Sequence, residues 1–395
     1  MVQLISKKED KSIKFSKKHW KHDDLHVISF TKAGLRGDNQ DGMSIEFGLD
    51  DELKGYYLFG VYDGHGEQGD KISEDCVKRL PEYIAKRLCE LLPIIEDDKK
   101  IKNAIKMGFD DTENYFKTLD VKGTKGNKVR MSGTTALTVM MTPKKNLYIA
   151  FAGDSSVFIV SSNKSEKINI EHNCHNKNEL LRLRAHRKQG FMYTIKARSV
   201  KDNLSNEIQY TRSLSDFYIK SFFSEGLIAE PEIIDKVYST SSLDLLVLAS
   251  DGITDRFKIF KKHPTEIYLS FLKKYKGDSD RFIKACNEMI KLCDYITEKR
   301  ICIDDMSIII IIILNGKSED EWYSTVTKNV ENFEDWKDWI NTCSEEDLSE
   351  IDDLDIYNKN SNEVDDFLIS VPTIPTEYYD EESAMNFTIS DDDFD

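Results

Sequence analysis

Long apolar runs, paired cysteines and a basic surplus are all missing from this sequence. The longest uninterrupted apolar stretch, Ile308–Leu314, covers seven residues, against the roughly 20 a membrane-spanning helix needs. Met1–Trp20 carries Lys7, Lys8, Lys11, Lys14, Lys17 and Lys18 in place of an apolar leader core. Position 2 is Val, so no myristoyl anchor is expected. The seven cysteines (76, 89, 174, 286, 293, 302 and 343) form no C-x-x-C pair and are odd in number. Reduced thiols in an intracellular, cytoplasmic protein are the expectation, not a disulfide framework. Lys plus Arg total 55 against 71 Asp plus Glu, a net charge of -16, and no basic footprint for nucleic acid dominates.

What is present is unevenly placed. Residues 315–395 hold 25 acidic and 4 basic residues, a net of -21, whereas residues 1–314 sum to +5. Three segments are expected: a Lys-rich N-terminal extension (1–23), a central domain (24–314) and an acidic tail (315–395). The tail interleaves Trp322, Phe333, Trp336, Trp339 and Phe367 with its acids, and a purely solvating tail is poor in aromatics. Docking on its own domain, docking on a partner, and an extra helix with a loose end all remain open.

Strand signals fall at His26–Thr31, Tyr56–Tyr62, Thr134–Met141, Leu147–Ala152, Val157–Ser161, Leu245–Ala249 and Ser307–Leu314. Met131–Ser162 reads as an antiparallel three-strand meander through P-K-K-N and G-D-S-S turns. Apolar residues at helical spacing mark Glu67–Leu92, Lys99–Leu119 and Pro264–Glu298. Gly123–Asn127 and Ser162–Asn178 read as loops or insertions. Strands grouped apart from helices predict an α+β fold.

Four sites place Asp beside a turn, three of them against an apolar strand: R-G-D-N-Q-D (Arg36–Asp41), Y-D-G-H-G (Tyr62–Gly66), S-D-G-I-T-D (Ser250–Asp255) and I-D-D-M-S (Ile303–Ser307). A lone D-G is most often only a turn, a lone His in D-G-H-G a surface residue, and a lone Arg36 a surface charge. Aspartates at the rims of buried strands are costly unless paired or bound to a cation. Brought together, they would make an all-oxygen site for Mg²⁺ or Mn²⁺.

The ordered series F-G-V-Y-D-G-H-G, S-G-T-T-A (Ser132–Ala136), G-D-S-S (Gly153–Ser156), E-H with Glu179 and Arg182, T-R-S-L-S-D (Thr211–Asp216), A-E-P-E-I, L-V-L-A-S-D-G-I-T-D and D-D-M-S resembles the type-2C metal-dependent Ser/Thr phosphatases, the PPM family. The resemblance runs from about residue 24 to residue 314. It implies a four-layer α-β-β-α sandwich of two antiparallel sheets flanked by helices, with a metal centre at one end. It implies two Mg²⁺ or Mn²⁺ ions bridged by Asp63, with the Gly64 carbonyl, Asp251 and Asp304 as ligands and Asp41 acting through a bound water. Arg36 would clamp the substrate phosphate and His65 would protonate the leaving oxygen. Asp154 and Asp255 would lie near a third metal position. A phosphoprotein substrate and a monomeric catalytic domain are further implications.

Four positions depart from the family pattern. Gln40 stands where many relatives carry an acid, and Ser156 where Arg usually follows G-D-S. The segment after Glu171–His172 lacks a proline, and Ser215 replaces a glycine. The last two are expected to affect substrate access and turnover more than metal binding. The competing expectation is a weak or inactive phosphatase-like scaffold acting through its acidic tail, against which the complete Asp set argues.

Overall fold

The isoleucine run sets the architecture. Met306–Ile313 is a strand buried along its whole length. Ile308, Ile310 and Ile312 enter one core, and Ile309, Ile311 and Ile313 enter another. Its neighbour Leu245–Ala249 divides the same way, with Leu245 and Val247 on one side and Leu246 and Leu248 on the other. Strands wetted on neither face read as continuous apolar runs, because the period-2 alternation separates two buried layers. The computed structural model describes residues 15–93, 97–121, 129–187, 193–195, 199–202, 207–223, 226–331, 333 and 335–342.

The first sheet orders Phe15–His22, Leu25–Lys32, Met306–Ile313, Leu245–Ala249, Ser156–Ser161 and Lys164–Lys167, each neighbour antiparallel. The second is built on Tyr57–Gly66, which pairs with Asp41–Phe47, Ser132–Thr134 and Ala136–Met141. Asn146–Ala152 continues it outward. Phe59, Val61, Leu137, Val139, Ile149 and Phe151 from this sheet meet the first across a shared core. Helices Gly69–Cys89 and Asp98–Val121 cover the outer face of the second sheet. Helices Asp251–Lys258, Pro264–Leu272 and Arg281–Glu298 cover the first. The result is the α+β fold that the strand and helix grouping predicts, in the four-layer sandwich that the resemblance implies. No helix among the described residues is long and apolar enough to cross a membrane, and the six described cysteines are free.

Several expectations are corrected. The three-strand meander is two strands plus a crossover: Ser156–Ser161 pairs with Leu245–Ala249 in the opposite sheet. Gly153, at φ +120, makes the turn, and a Cβ there would lie 2.5 Å from Thr135. The stretch Pro264–Glu298 is two helices, because Gly277 at φ +75 and the polar residues around it stop the first and restart the second. Within the presumed loop Ser162–Asn178, Lys164–Lys167 folds back as a hairpin strand through Ser162 and Asn163, both left-handed. Gly123–Asn127 lies outside the described residues.

The two expected appendages contribute to this sandwich. Phe15–His22, within the Lys-rich segment, is the edge strand of the first sheet. Past residue 314, Ser318 caps the helix Glu319–Val326 in a reciprocal capping box with Glu321. Trp322 of that helix is fully buried, and its indole N–H donates to the Asp244 carbonyl at 3.0 Å. Trp336 and Ile340, on the helix Trp336–Thr342, join the same core, and Phe333 packs against it. The aromatics of 322–340 therefore dock on the chain's own domain; Phe367 lies outside the described residues.

Candidate active site

The strand rims deliver the carboxylates. Asp41 opens the strand Asp41–Phe47 and stands in register opposite Asp63. Thr135 faces Asp63 on the other side: its N–H donates to the Asp63 carbonyl at 2.8 Å, and its hydroxyl accepts from the Asp63 N–H at 3.1 Å. With its backbone satisfied laterally, Asp63 presents only its carboxylate. Asp251 begins a helix directly after the strand Leu245–Ala249, where the positive end of the helix dipole favours an anion. Asp304 precedes the strand Met306–Ile313, which pairs with Leu245–Ala249, so both acids arrive at one end of the sandwich.

Two glycines are dictated by close approach. A Cβ on Gly252 would lie 1.7 Å from the Asp305 carbonyl oxygen, and one on Gly64 would lie 2.4 Å from the carbonyls of Gln40 and Gly69. D-G here is therefore more than a turn signal. Tight backbone packing pulls the carboxylates together.

Their electrostatics show the cost of that packing. Burial pushes the Asp41 carboxyl up to about 8, with Asp305 and Asp251 adding repulsion. Asp251 rises to about 7 through burial and the charges of Asp304 and Asp255. Burial also holds Asp63 and Asp154 well above the ordinary carboxylate range, with Asp41 and Asp251 the largest added repulsions respectively. Asp304 is raised by burial, against the opposing pull of Arg36. Asp41 Oδ1 and Asp251 Oδ1 are buried without a hydrogen-bond partner. The other Asp41 oxygen accepts from Ser250 Oγ at 3.0 Å. Among the described residues no three acidic, imidazole or thiolate groups close a ready protein chelate. A crowded all-oxygen set with orphaned acceptors fits hard divalent ions that keep much of their shell as water.

Arg36 and His65 flank the carboxylates. Arg36 Nη1 meets Asp304 Oδ2 at 2.7 Å while its side chain stays 63% exposed. His65 Nε2 lies 2.7 Å from Asp216 Oδ2, and its ring rests on Tyr210 with centroids 4.6 Å apart. Asp154 sits in the crossover turn and feels both Asp251 and Asp255. Asp255, one helical turn past Asp251, is half-exposed and paired with Lys258 at 2.6 Å. The structure thus gathers Asp41, Asp63, Asp251 and Asp304, with Asp154 alongside, whereas Asp255 points partly to solvent and a lysine.

Four supporting residues were given no role by the sequence. Asp305 is buried and accepts from the backbone N–H groups of Gly34 and Gln40, each at 2.8 Å, which moors the loop bearing Arg36 and Asp41. Arg256 is fully buried and donates to the carbonyls of Asp304 and Cys302 at 2.8 and 3.2 Å. Glu179 ties Arg182 and Arg212 at 2.6 and 2.5 Å, joining the helix Lys177–Arg187 to the T-R-S-L-S-D segment. Asp216, last in that segment, reaches His65 from 151 residues away. All four lie in or beside quoted motifs, but only the folded chain shows what they touch.

Comparison with known proteins bears on the family and the fold. Protein phosphatase 2C homolog 2 of Aspergillus fumigatus is 27% identical over 283 residues, 70% of this chain and 59% of that protein. Protein phosphatase 1K, mitochondrial, of Xenopus laevis is 28% identical over 226 residues, 56% of this chain and 54% of that protein. The chain therefore spans little more than half the length of these two relatives. The crystal structure of serine-threonine phosphatase 2C from Toxoplasma gondii superposes with a TM-score of 0.58 at 15% identity, over 75% of this chain and 98% of that one, which supports the fold alone. The protein phosphatase 2C family model matches residues 32–291, well over half of the chain, and the chain belongs to the protein phosphatase 2C family.

Proposed function

We propose that the chain is a Mg²⁺- or Mn²⁺-dependent protein phosphatase that hydrolyses phosphoserine and phosphothreonine by direct attack of water. The observation carrying this reading is the convergence of Asp41, Asp63, Asp251 and Asp304, with buried oxygens of Asp41 and Asp251 left unpartnered. Asp63, Asp251, Asp304 and the Gly64 carbonyl would hold two ions, Asp41 would contribute through water, and Asp154 with Asp255 would serve a third. When bound, such ions neutralise the phosphate and activate the attacking water.

The chain's own groups supply the rest. Arg36 Nη1 lies 2.7 Å from Asp304 Oδ2 while its side chain stays largely exposed, so its planar fork of N–H donors suits a phosphate oxygen pair. Its exposure lets a phosphoprotein reach it. His65, one residue from Gly64 on the same strand, supplies a proton to the departing serine or threonine oxygen. Water adds its oxygen to phosphorus and gives one proton to solvent; the phosphorus–ester bond breaks with its electron pair going to the leaving oxygen, which takes the proton from His65. No cysteine takes part. The four described cysteines that are buried have thiols held upward by that burial, away from thiolate nucleophiles.

The test is turnover of a phosphothreonine peptide by the full chain, with Mn²⁺ or Mg²⁺ and with chelator. Turnover only with the metal is expected, and Asp63→Asn or Asp251→Asn should abolish it while the protein stays folded by circular dichroism. Undiminished turnover in excess chelator, or in either variant, overturns the reading. A folded, metal-saturated chain with no turnover would favour the scaffold alternative.

A further inference from the structure

One buried carboxylate near the site has no assigned part in the chemistry. Asp216 is completely buried, and its Oδ2 receives three groups: His65 Nε2 at 2.7 Å, Ser213 Oγ at 2.6 Å and Tyr210 OH at 3.4 Å. Burial disfavours its charge, but His65, Ser213 and Lys220 outweigh that and hold the carboxyl below its ordinary range. An ionised Asp216 can only accept, so Nε2 of His65 must carry the proton between them.

A structural account is available and falls short. Asp216 precedes the helix Phe217–Phe223, where an aspartate commonly caps by accepting from the first-turn N–H groups. Its carboxylate bonds run to His65, Ser213 and Tyr210 instead. The chain also bends to deliver it. Ser215 and Asp216 both adopt left-handed backbone, at φ 66 and 53, a conformation disfavoured for residues with a Cβ. Glu113 braces the bend, accepting from the Ser215 N–H and from Lys220 Nζ, each at 2.7 Å. Opposite, a Cβ on Gly133 would lie 2.2 Å from Asp216 Oδ2, so the strand beside His65 needs glycine for the carboxylate to reach the ring.

We propose that Asp216 is the positioning residue for His65: it fixes the imidazole with Nε2–H donating to Oδ2, so that Nδ1 is the nitrogen delivering a proton to the leaving oxygen. The inference rests on the phosphatase reading above. As the phosphorus–oxygen bond breaks, the electron pair passes to the serine or threonine oxygen, which takes the Nδ1 proton. The neutral ring keeps its Nε2 proton on Asp216 and is reprotonated at Nδ1 from solvent.

The experiment compares a phosphoserine peptide, whose alkoxide leaving group needs that proton, with p-nitrophenyl phosphate, whose phenolate departs without it. In Asp216→Asn the amide can donate to Nε2 and reverse the tautomer. The kcat for the peptide should fall about 10²-fold, exceeding the fall for p-nitrophenyl phosphate by at least tenfold. In a His65→Gln background, adding Asp216→Asn should cost no further factor on the peptide, because the two act as one unit. Equal losses on both substrates, or no loss on the peptide, overturn the proposal. Should the variant not fold, ¹⁵N NMR of the wild-type imidazole decides: protonated Nε2 with bare Nδ1 in the neutral ring is expected, and the opposite tautomer overturns it. A wild-type chain inactive on both substrates fails the phosphatase reading instead, so the two failures are distinguishable.

Discussion

At the residue scale, the site is a set of acids held closer than they tolerate alone. A carboxyl whose folded value is raised, as at Asp41 (about 8) and Asp251 (about 7), binds protons more tightly in the folded than in the unfolded chain. Stability from these groups is therefore present at low pH and lost as pH rises from about 4 toward those values. A divalent ion competes with the same protons and removes the repulsion. The thermal midpoint gained on adding Mn²⁺ should accordingly be larger at pH 8 than at pH 5.5, measured by calorimetry; an equal gain at both contradicts the crowding argument. Ser215 makes a second case. It sits at φ 66, and its buried hydroxyl has no partner. Ser215→Gly removes left-handed strain and an unsatisfied polar atom, against the extra unfolded-state entropy of glycine. A net gain of about 1 kcal/mol in urea unfolding is expected, and a loss would show that the serine is stabilising.

At the element scale, the helix Glu319–Val326 belongs to the domain that precedes it. Its acidic first turn is paired: Glu319 with Lys21 of the edge strand at 3.0 Å, and Asp320 with Arg281 at 2.6 Å. Trp322 packs edge-on against Phe282, and Tyr323 OH donates to the Lys273 carbonyl at 2.8 Å. Trp322→Ala should cost about 3–5 kcal/mol, as for large-to-small changes in a core, and truncation after residue 314 should cost at least as much. Chemical denaturation of both variants is the check; a midpoint unchanged on truncation would mean this helix adds nothing to the fold. Aromatics among acids left docking on the domain, docking on a partner and an extra helix with a loose end all open in the sequence. Which surface received them depended on the Asp244 carbonyl and Phe282, neither of which local pattern could bring near residue 322.

At the scale of the whole molecule, two buried ion clusters join segments distant in sequence in acid-sensitive fashion. Burial opposes the charge on Glu171, but Lys167 and Lys258 overcome it and hold its carboxyl at about 2. Burial is likewise outweighed at Glu179, where Arg212 and Arg182 hold the carboxyl at about 2. Both groups stabilise the fold fully above the ordinary carboxylate value near 4.5, and that contribution is lost as pH falls from there toward 2. Each is worth roughly 3 kcal/mol at neutral pH. Glu179→Gln should flatten the stability–pH curve over that window in calorimetry; an unaltered curve would show that the arginines are not sensing its charge. The charge split also moves. Residues 343–395 alone carry 18 acidic residues and 1 basic one, a net of -17, leaving +1 for residues 1–342.

The sequence by itself determined the two-layer β core, since seven consecutive apolar residues at 308–314 suit a strand buried on both faces better than anything else of that length. It also marked Asp63, Asp251 and Asp304 as candidates, because aspartates at the rims of buried strands are costly unless paired or bound to a cation, whereas their metal roles came only with the family resemblance. Tertiary structure alone decided the rest. It sent Ser156–Ser161 across to the opposite sheet, drew residues 15–22 and 319–342 into the domain, and set Asp216 against His65. Local periodicity reports whether a side chain is buried; only the closed chain fixes which distant atom it is buried against.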